Sequence, residues 1–347
     1  MYQPIIGLEV HAEIATRSKM FCGCRVVDST EAEPNTAVCP ICAGMPGMLP
    51  VTNQRAVEHG LRVALALGCK IAPVSIFARK NYFYPDLPKG YQISQYKRPI
   101  AQNGRLKIRV EDGEKVIRVR RAHLEEDAGK LTHINPDGAP YSLVDLNRAG
   151  VPLLEIVSEP DMHSAEEARA YAEALRSIIR YLGVNSGNMQ EGVLRFEANI
   201  SVRPVGEQKL GTRTEIKNLN SFRALERSID YEIQRQSDLL RQGKSVIQET
   251  RGWDEKREVT IPQRSKEEAD DYRYFPEPDL PPLVVEDEWI EELRSSLPEL
   301  PDAKYQRFRE QYGLNAYDTD VLVADRDVAA YFEAVVDAAA SAAADVD

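Results

Sequence analysis

IIGLEVHAEI, residues 5–14, alternates with period two: Leu8, Val10, Ala12 and Ile14 fall on one side, Glu9, His11 and Glu13 on the other. Alternation of this kind marks a strand with one buried face. A merely solvated face is usually filled with Thr, Lys, Ser or Arg. This one offers two carboxylates and an imidazole, spaced roughly 7 Å apart along the strand. The stretch therefore predicts a sheet with an apolar underside and a chemically equipped upper side.

The same pattern recurs further along. AHLEEDAGK puts His123, Glu125 and Asp127 on one side of an extended segment, and LRFEANIS does so for Arg195, Glu197, Asn199 and Ser201. TRTEIKN adds Arg213, Glu215 and Lys217, and DLNRAGVPLLEIVSEPD adds Asp145, Asn147 and Glu155. Taken singly, each segment also reads as a solvated face with incidental ion pairs. Together they predict one sheet whose concave side is a polar bowl. Burying so many carboxylates without a cation raises their pKa values at a cost of several kcal/mol per charge, and a divalent cation removes that cost. Oxygen-rich ligands suit Mg²⁺, and the one histidine leaves Mn²⁺ open. Arg195, Lys217 and Lys89 are the cations such a site requires for phosphate. There is no GxxxxGK[ST], GxGxxG, HExxH or GxSxG, so nucleotide chemistry here runs through metals on a sheet or not at all.

Composition sets the frame. The chain has 347 residues, enough for one large domain and a smaller one. Its formal net charge is −11, which argues against a general coat for nucleic acid and agrees with a site that gathers carboxylates. No apolar run approaches a membrane span, and no basic-then-apolar leader precedes the first strand, so a cytoplasmic protein away from membranes is expected. Cys22-Gly-Cys24 and Cys39-Pro-Ile-Cys42 form two close pairs 14 residues apart. In a reducing compartment they read as a structural Zn²⁺ knuckle, or as buried free thiols.

Thr52 or Asn53 caps a helix ending at Gly68, Ser164 with Glu167 forms a capping box, and a second long helix runs from about Ser221 to Gly243. Residues 71–150 read as an antiparallel meander with turns at EDGE (111–114) and NPDGAP (135–140). Helices are interspersed unevenly, without a regular βαβ beat, so the fold class is α+β with an antiparallel sheet. FPEPDLPPLVV (275–285) reads as the domain boundary, followed by helical patterns at 287–297, 302–312 and about 324–344. The tyrosine-rich loop KNYFYPDLPKGYQISQY (80–96) is either a stacking wall for an adenine or a tRNA end, or packing against the sheet; DDYRYFPEPDLPPL (270–283) shares that ambiguity, with a partner interface as a third choice.

IGLEVHAEI, NTAVCPICAGMPGMLPVTN, NYFYPDLPKGYQISQY, HLEEDAGK, DLNRAGVPLLEIVSEPD, GTRTEIKNLNSF and DDYRYFPEPDLPP together resemble the B subunits of tRNA-dependent amidotransferases over about residues 3–345. The resemblance implies a catalytic domain at 1–285, a cradle similar to glutamine synthetase. The start of a helical domain follows at 286–347, without the family's tRNA-gripping tail domain. It implies an ATP- and Mg²⁺-dependent phosphorylation of the side-chain carboxylate of misacylated Glu-tRNA(Gln) or Asp-tRNA(Asn). Ammonia from a glutaminase A subunit then displaces the phosphate, and a small C subunit holds the two larger ones together. By the same resemblance Glu9, His11 and Glu125 match metal and kinase positions, with Glu155, Glu197 and Glu215 facing the same site. Arg195 and Lys217 would steady the γ-phosphate. Tyr82, Lys89, Tyr91, Asn147, Asn199 and Asn218 are expected along the substrate, ATP or ammonia path. A stand-alone ATP-dependent amide ligase and a zinc-stabilised, non-catalytic tRNA-binding scaffold are the competing readings.

Overall fold

The computed structural model describes residues 1–28, 30–135, 139–265 and 272–344. Its first part comprises β1 (Tyr2–Glu13), α1 (Gln54–Ala66), β2 (Lys70–Ile71), β3 (Val74–Ser75), β4 (Ala78–Asn81), β5 (Tyr91–Ser94) and β6 (Ala101–Val110). Next come β7 (Gly113–Glu126), β8 (Lys130–Ile134), β9 (Tyr141–Asp145), β10 (Pro152–Ser158), α2 (Ala165–Tyr181) and β11 (Leu194–Pro204). The remainder is β12 (Thr214–Leu219), α3 (Phe222–Arg241), β13 (Glu249–Asp254), β14 (Val259–Ser265), β15 (Phe275–Pro276) and β16 (Leu283–Val284). Four helices close it: α4 (Asp287–Ser295), α5 (Pro301–Tyr312), α6 (Ala316–Val323) and α7 (Arg326–Ala344).

Nine strands make one sheet in the order β14-β13-β12-β11-β1-β10-β7-β6-β2, with the opening stretch of the sequence at its centre. Leu8, Val10, Ala12 and Ile14 lie on the apolar face with Leu124, Leu154, Ile156, Phe196, Ala198 and Ile216, all buried in one core with residues of α1, α2 and α3. Three caps hold those helices. Asn53 accepts from the backbone of Arg55 and Ala56, Ser164 from Glu167 and Ser221 from Ala224. Covering one face with helices leaves the other for Glu9, His11 and Glu13.

The mixed character of the sheet corrects the expectation of an antiparallel one. Strands β12 and β13 run parallel, with Glu215 opposite Thr250. The cause is the helix between them: parallel neighbours need a crossover connection, and α3 is that crossover. One βαβ unit is therefore hidden in an otherwise antiparallel sheet.

The proline stretch is also more than a linker. Its β15 pairs with β4, and its β16 with β3, stitching residues 275–284 back onto the sheet domain. Leu293 of α4 still belongs to the main core. A second small core of Tyr305, Phe308, Val323 and Ala329 gathers α5 to α7, and takes in Tyr181 from α2. The expected third helical pattern is α7, and α6, which precedes it, went unread in the sequence. The EDGE turn joins β6 to β7, with Gly113 at φ +121, whereas positions 136–138 of NPDGAP and 270–271 of the tyrosine stretch lie outside the described residues. No described helix is long and apolar enough to cross a membrane.

Candidate active site

Register assembles the polar face. On β1, Glu9 stands opposite Glu197 and His11 opposite Arg195 of β11. On the other flank His11 faces Glu155 of β10, which in turn faces His123 of β7. Like charges directly across a strand pair destabilise a sheet, and this sheet places them at its centre.

Two groups of metal-ligating atoms result, each with its members within 4.8 Å of one another: His11 with Glu125 and Glu155, and Glu9 with Glu197 and Glu215. In the first, His11 Nε2 lies 3.4 Å from Glu155 and 3.9 Å from Glu125. His123 Nε2 lies 3.3 Å from Glu155 and 3.7 Å from Glu125, and its Nδ1 is buried with no hydrogen-bond partner. Ser94 Oγ donates to Glu125 at 3.0 Å. Burial alone would raise Glu155, but the imidazoles of His123 and His11 hold it well below the usual carboxylate range. His11 answers in kind: burial opposes its charge, yet the Glu155 contact lifts it to about 9.

In the second group burial, followed by the charges of Glu155, Glu197 and Glu215, raises Glu9. Asn199 donates to Glu9 at 2.8 Å, and Thr250 Oγ1 donates to Glu215 at 2.9 Å. Lys217 Nζ sits 2.9 Å from Glu197 and 3.6 Å from Glu215, so it is tied to the carboxylates themselves. A hard divalent cation suits both groups: oxygens predominate, their geometry is open, and the repulsion it would relieve is present in the pKa of Glu9.

Beyond His11 the face ends in a third group, in which cations are present. Arg195 donates to Asp127 at 2.7 Å, with Arg148 Nε 3.7 Å away. Burial, then Asp127, pushes Glu13 up to about 7.

Other expected residues lie elsewhere. Lys89 is paired with Glu126, on the opposite side of β7 from Glu125, and its Nζ lies 5.5 Å from the Tyr91 ring centre. Tyr91 is covered by the Arg79 guanidinium at 4.1 Å, and Tyr82 packs edge-on to Tyr272 at 6.1 Å. Asn147 is drawn away from the bowl altogether. It is fully buried, accepts from Ala37 N and donates to Glu33 O, pinning the cysteine loop. Asn218 lies in β12, and its side chain is outside the described residues. His123 was legible as part of the 123–127 alternation, but its place between two candidate ligands was not drawn from it. Lys80 is the other omission: burial opposes its charge, and Glu125, Tyr274 and Glu155 keep it protonated.

The four cysteines converge as their spacing predicts. Their sulfurs lie within 4.8 Å of one another, with Cys22–Cys42 at 3.5 Å and Cys39–Cys42 at 3.7 Å. Zinc–sulfur bonds of about 2.3 Å give a tetrahedral edge near ~3.8 Å, so the residues fit Zn²⁺. Lys19 is fully buried and donates to Cys42 at 3.5 Å. A hydrogen bond from Cys22, then one from the backbone around Cys39 and the charge of Lys19, hold the Cys42 thiol down to about 4.

Fold and site thus define an α/β protein with one helix-covered sheet face, an open polyanionic face suited to divalent cations, and a separate four-sulfur site. A family model described as the GatB/GatE catalytic domain matches residues 4–291. The chain is 58% identical over 335 residues to the B subunit of the aspartyl/glutamyl-tRNA(Asn/Gln) amidotransferase from Moorella thermoacetica, covering 96% of this chain and 70% of that protein. Proteins of the same name from Myxococcus xanthus and Carboxydothermus hydrogenoformans are 59% and 57% identical, over 96% of this chain and 69% of their own lengths. The chain belongs to the family of aspartyl/glutamyl-tRNA(Asn/Gln) amidotransferase B subunits.

Proposed function

We propose that this chain is the kinase and transamidase component of a tRNA-dependent amidotransferase. It transfers the γ-phosphoryl of ATP to the side-chain carboxylate of Glu-tRNA(Gln) or Asp-tRNA(Asn), and then admits ammonia to displace the phosphate. The observation that carries this reading is the pair of adjacent ligand groups, His11/Glu125/Glu155 and Glu9/Glu197/Glu215, side by side on one sheet face.

A carboxylate is a poor electrophile until it has a leaving group. Phosphoryl transfer is mostly a matter of position and charge neutralisation. Glu9, Glu197 and Glu215 would hold one Mg²⁺ (or Mn²⁺) and His11, Glu125 and Glu155 another; when bound, these ions neutralise the phosphate oxygens and orient them. His123 fixes the orientation of Glu155. Lys217 exchanges its carboxylate partners for the γ-phosphate, which Arg195, held by Asp127 beyond His11, helps to steady. The Cys22/Cys24/Cys39/Cys42 site holds Zn²⁺ and shapes its loop without taking part in the chemistry. Residues 1–285 form a cradle similar to that of glutamine synthetase and 286–347 the beginning of a helical domain. The working enzyme includes a glutaminase A subunit and a small C subunit, and acts in the cytoplasm.

The test is ATP turnover by the chain assembled with its A and C partners and supplied with misacylated tRNA, comparing wild type with His11→Ala and Glu125→Gln. Turnover that requires misacylated tRNA and is lost in both variants supports the assignment. Turnover in both variants at the wild-type rate would place the chemistry elsewhere.

A further inference from the structure

An aromatic ladder leads from the surface of the molecule to the first ligand group. Tyr96 and Tyr274 stack face to face, with ring centres 4.2 Å apart and planes 7° from parallel. Tyr274 meets Tyr272 edge-on at 6.1 Å, and Tyr272 meets Tyr82 in the same way. Lys80 Nζ lies 5.0 Å from the Tyr272 ring centre, and its charge is felt by Glu125 and Glu155. The chain also ties the ladder's outer ring to that group: Ser94, which donates to Glu125, stands only two residues before Tyr96.

The outer end is open. A cavity of about 220 Å³ there is lined by Ala78, Tyr96, Lys97, Arg98, Tyr274 and Phe275. Tyr96 is 45% exposed and Phe275 44% exposed. A tyrosine pair that served only the core would hide its outer ring face. Lys97 and Arg98 are exposed and have no ion-pair partner among the described residues, in a chain whose net charge is −11. In such a chain, unpaired cations beside an open aromatic face call for a ligand that brings both a flat ring and negative charge.

Building on the function proposed above, we propose that Tyr96 and Tyr274, flanked by Lys97 and Arg98, form the platform on which the single-stranded 3′ end of the aminoacylated tRNA stacks as it enters the site. Base-on-aromatic stacking with backbone phosphates on nearby cations is the general mode of single-strand binding. The base of ATP offers the same ring chemistry. A free mononucleotide ends its charge at the metals, whereas a polynucleotide carries phosphates outward past Lys97 and Arg98, and this favours the tRNA end.

The test uses the assembled three-subunit enzyme, with dissociation constants for misacylated tRNA and for Mg-ATP measured separately. Tyr96→Ala is expected to weaken tRNA roughly tenfold, while Tyr96→Phe stays within about twofold because the ring face remains. Joint replacement Lys97→Ala and Arg98→Ala should reduce the salt slope of tRNA binding by about one to one and a half. Mg-ATP affinity should stay level in every variant. A fall in Mg-ATP affinity with tRNA unaffected would assign the platform to the mononucleotide and overturn the proposal. So would tRNA binding that ignores all three changes, or that is equally tight after the 3′-terminal nucleotides are removed. Wild-type enzyme that binds neither ligand sinks the functional reading itself, an outcome distinct from any produced by the variants alone.

Discussion

Two regions of the molecule are built from the same residue types and differ in how their charges are arranged. At the helical end, Glu299 and Glu333 are bridged by Lys304 and Arg307 at distances of 2.6–2.9 Å. Two acids meet two bases, and the group is complete. On the sheet face, Lys217 lies beside Glu197 and Glu215, to which Glu9 adds a third carboxylate, while Glu125 and Glu155 face the imidazoles of His11 and His123, with Arg121 3.8 Å from Glu155. The first arrangement supports the packing of helices; in the second, burial and the repulsion of neighbouring carboxylates raise Glu9, a cost met by a fold that derives its stability elsewhere. An acidic group points to function when its charges remain unbalanced despite burial, and the number of acids alone does not.

The most severe way to break this contrast is Glu125→Gln. Phosphoryl transfer should fall by on the order of a thousandfold, while the fold is kept, because the amide has the shape of the carboxylate and its oxygen still accepts from Ser94. Loss of folding in that variant would show Glu125 to be structural, and the sheet face would then resemble the helical end after all. Cys42→Ser tests a third kind of charge group, one completed by metal. A wild-type zinc content of one per chain and a Tm that drops on chelation are expected, with the variant starting from the lower Tm. Chelation that leaves Tm unmoved would make the cysteines free thiols.

The sequence revealed these regions unequally, for physical reasons. Period-two alternation fixes which side of a strand a residue occupies, so Glu9, His11, Glu125, Glu197 and Glu215 were readable without coordinates. Alternation does not say which strands are neighbours. The interleaving of β10 between β1 and β7, which brings His123 to Glu155, is set by tertiary pairing. Asn147 looked like a member of the bowl because it shares a segment with Glu155, but an intervening turn at Gly150, with φ +86, redirects the chain. Lys19 had no signal at all: a buried lysine bound to a cysteine sulfur is indistinguishable in sequence from one in solvent. The parallel pair was missed because a single crossover leaves no periodic trace.

That crossover suggests a milder perturbation. Thr250 comes from β13, the strand delivered by α3, and its hydroxyl holds Glu215 in place from outside the ligand group. Thr250→Val keeps the shape and removes the donor. Groups that orient metal ligands typically contribute ten- to a hundredfold in metal affinity. Mn²⁺ affinity should therefore weaken at least about tenfold, with Thr250→Ser restoring most of it. Equal affinities in wild type and Thr250→Val would show that Glu215 is held in place without the Thr250 hydroxyl.

The smallest expected effect belongs to the balanced region. Hydrogen bonding to Arg307 lowers Glu299 from 4.5 to about 2. A depressed carboxylate contributes stability that is present above its unfolded value, and loses it as pH falls from about 4.5 towards 2. Glu299 keeps 31% of its side-chain surface exposed, so screening limits the contribution to below about 1 kcal/mol. Amide exchange in α5 and α7 reads this locally, without reference to global unfolding. Glu299→Gln should speed exchange slightly at pH 6, and the difference from wild type should shrink as pH approaches 3, or at pH 6 as salt is raised. A difference that stays constant across that range would mean the side chain acts by packing, and the helical ion network would lose its claim to be held by charge.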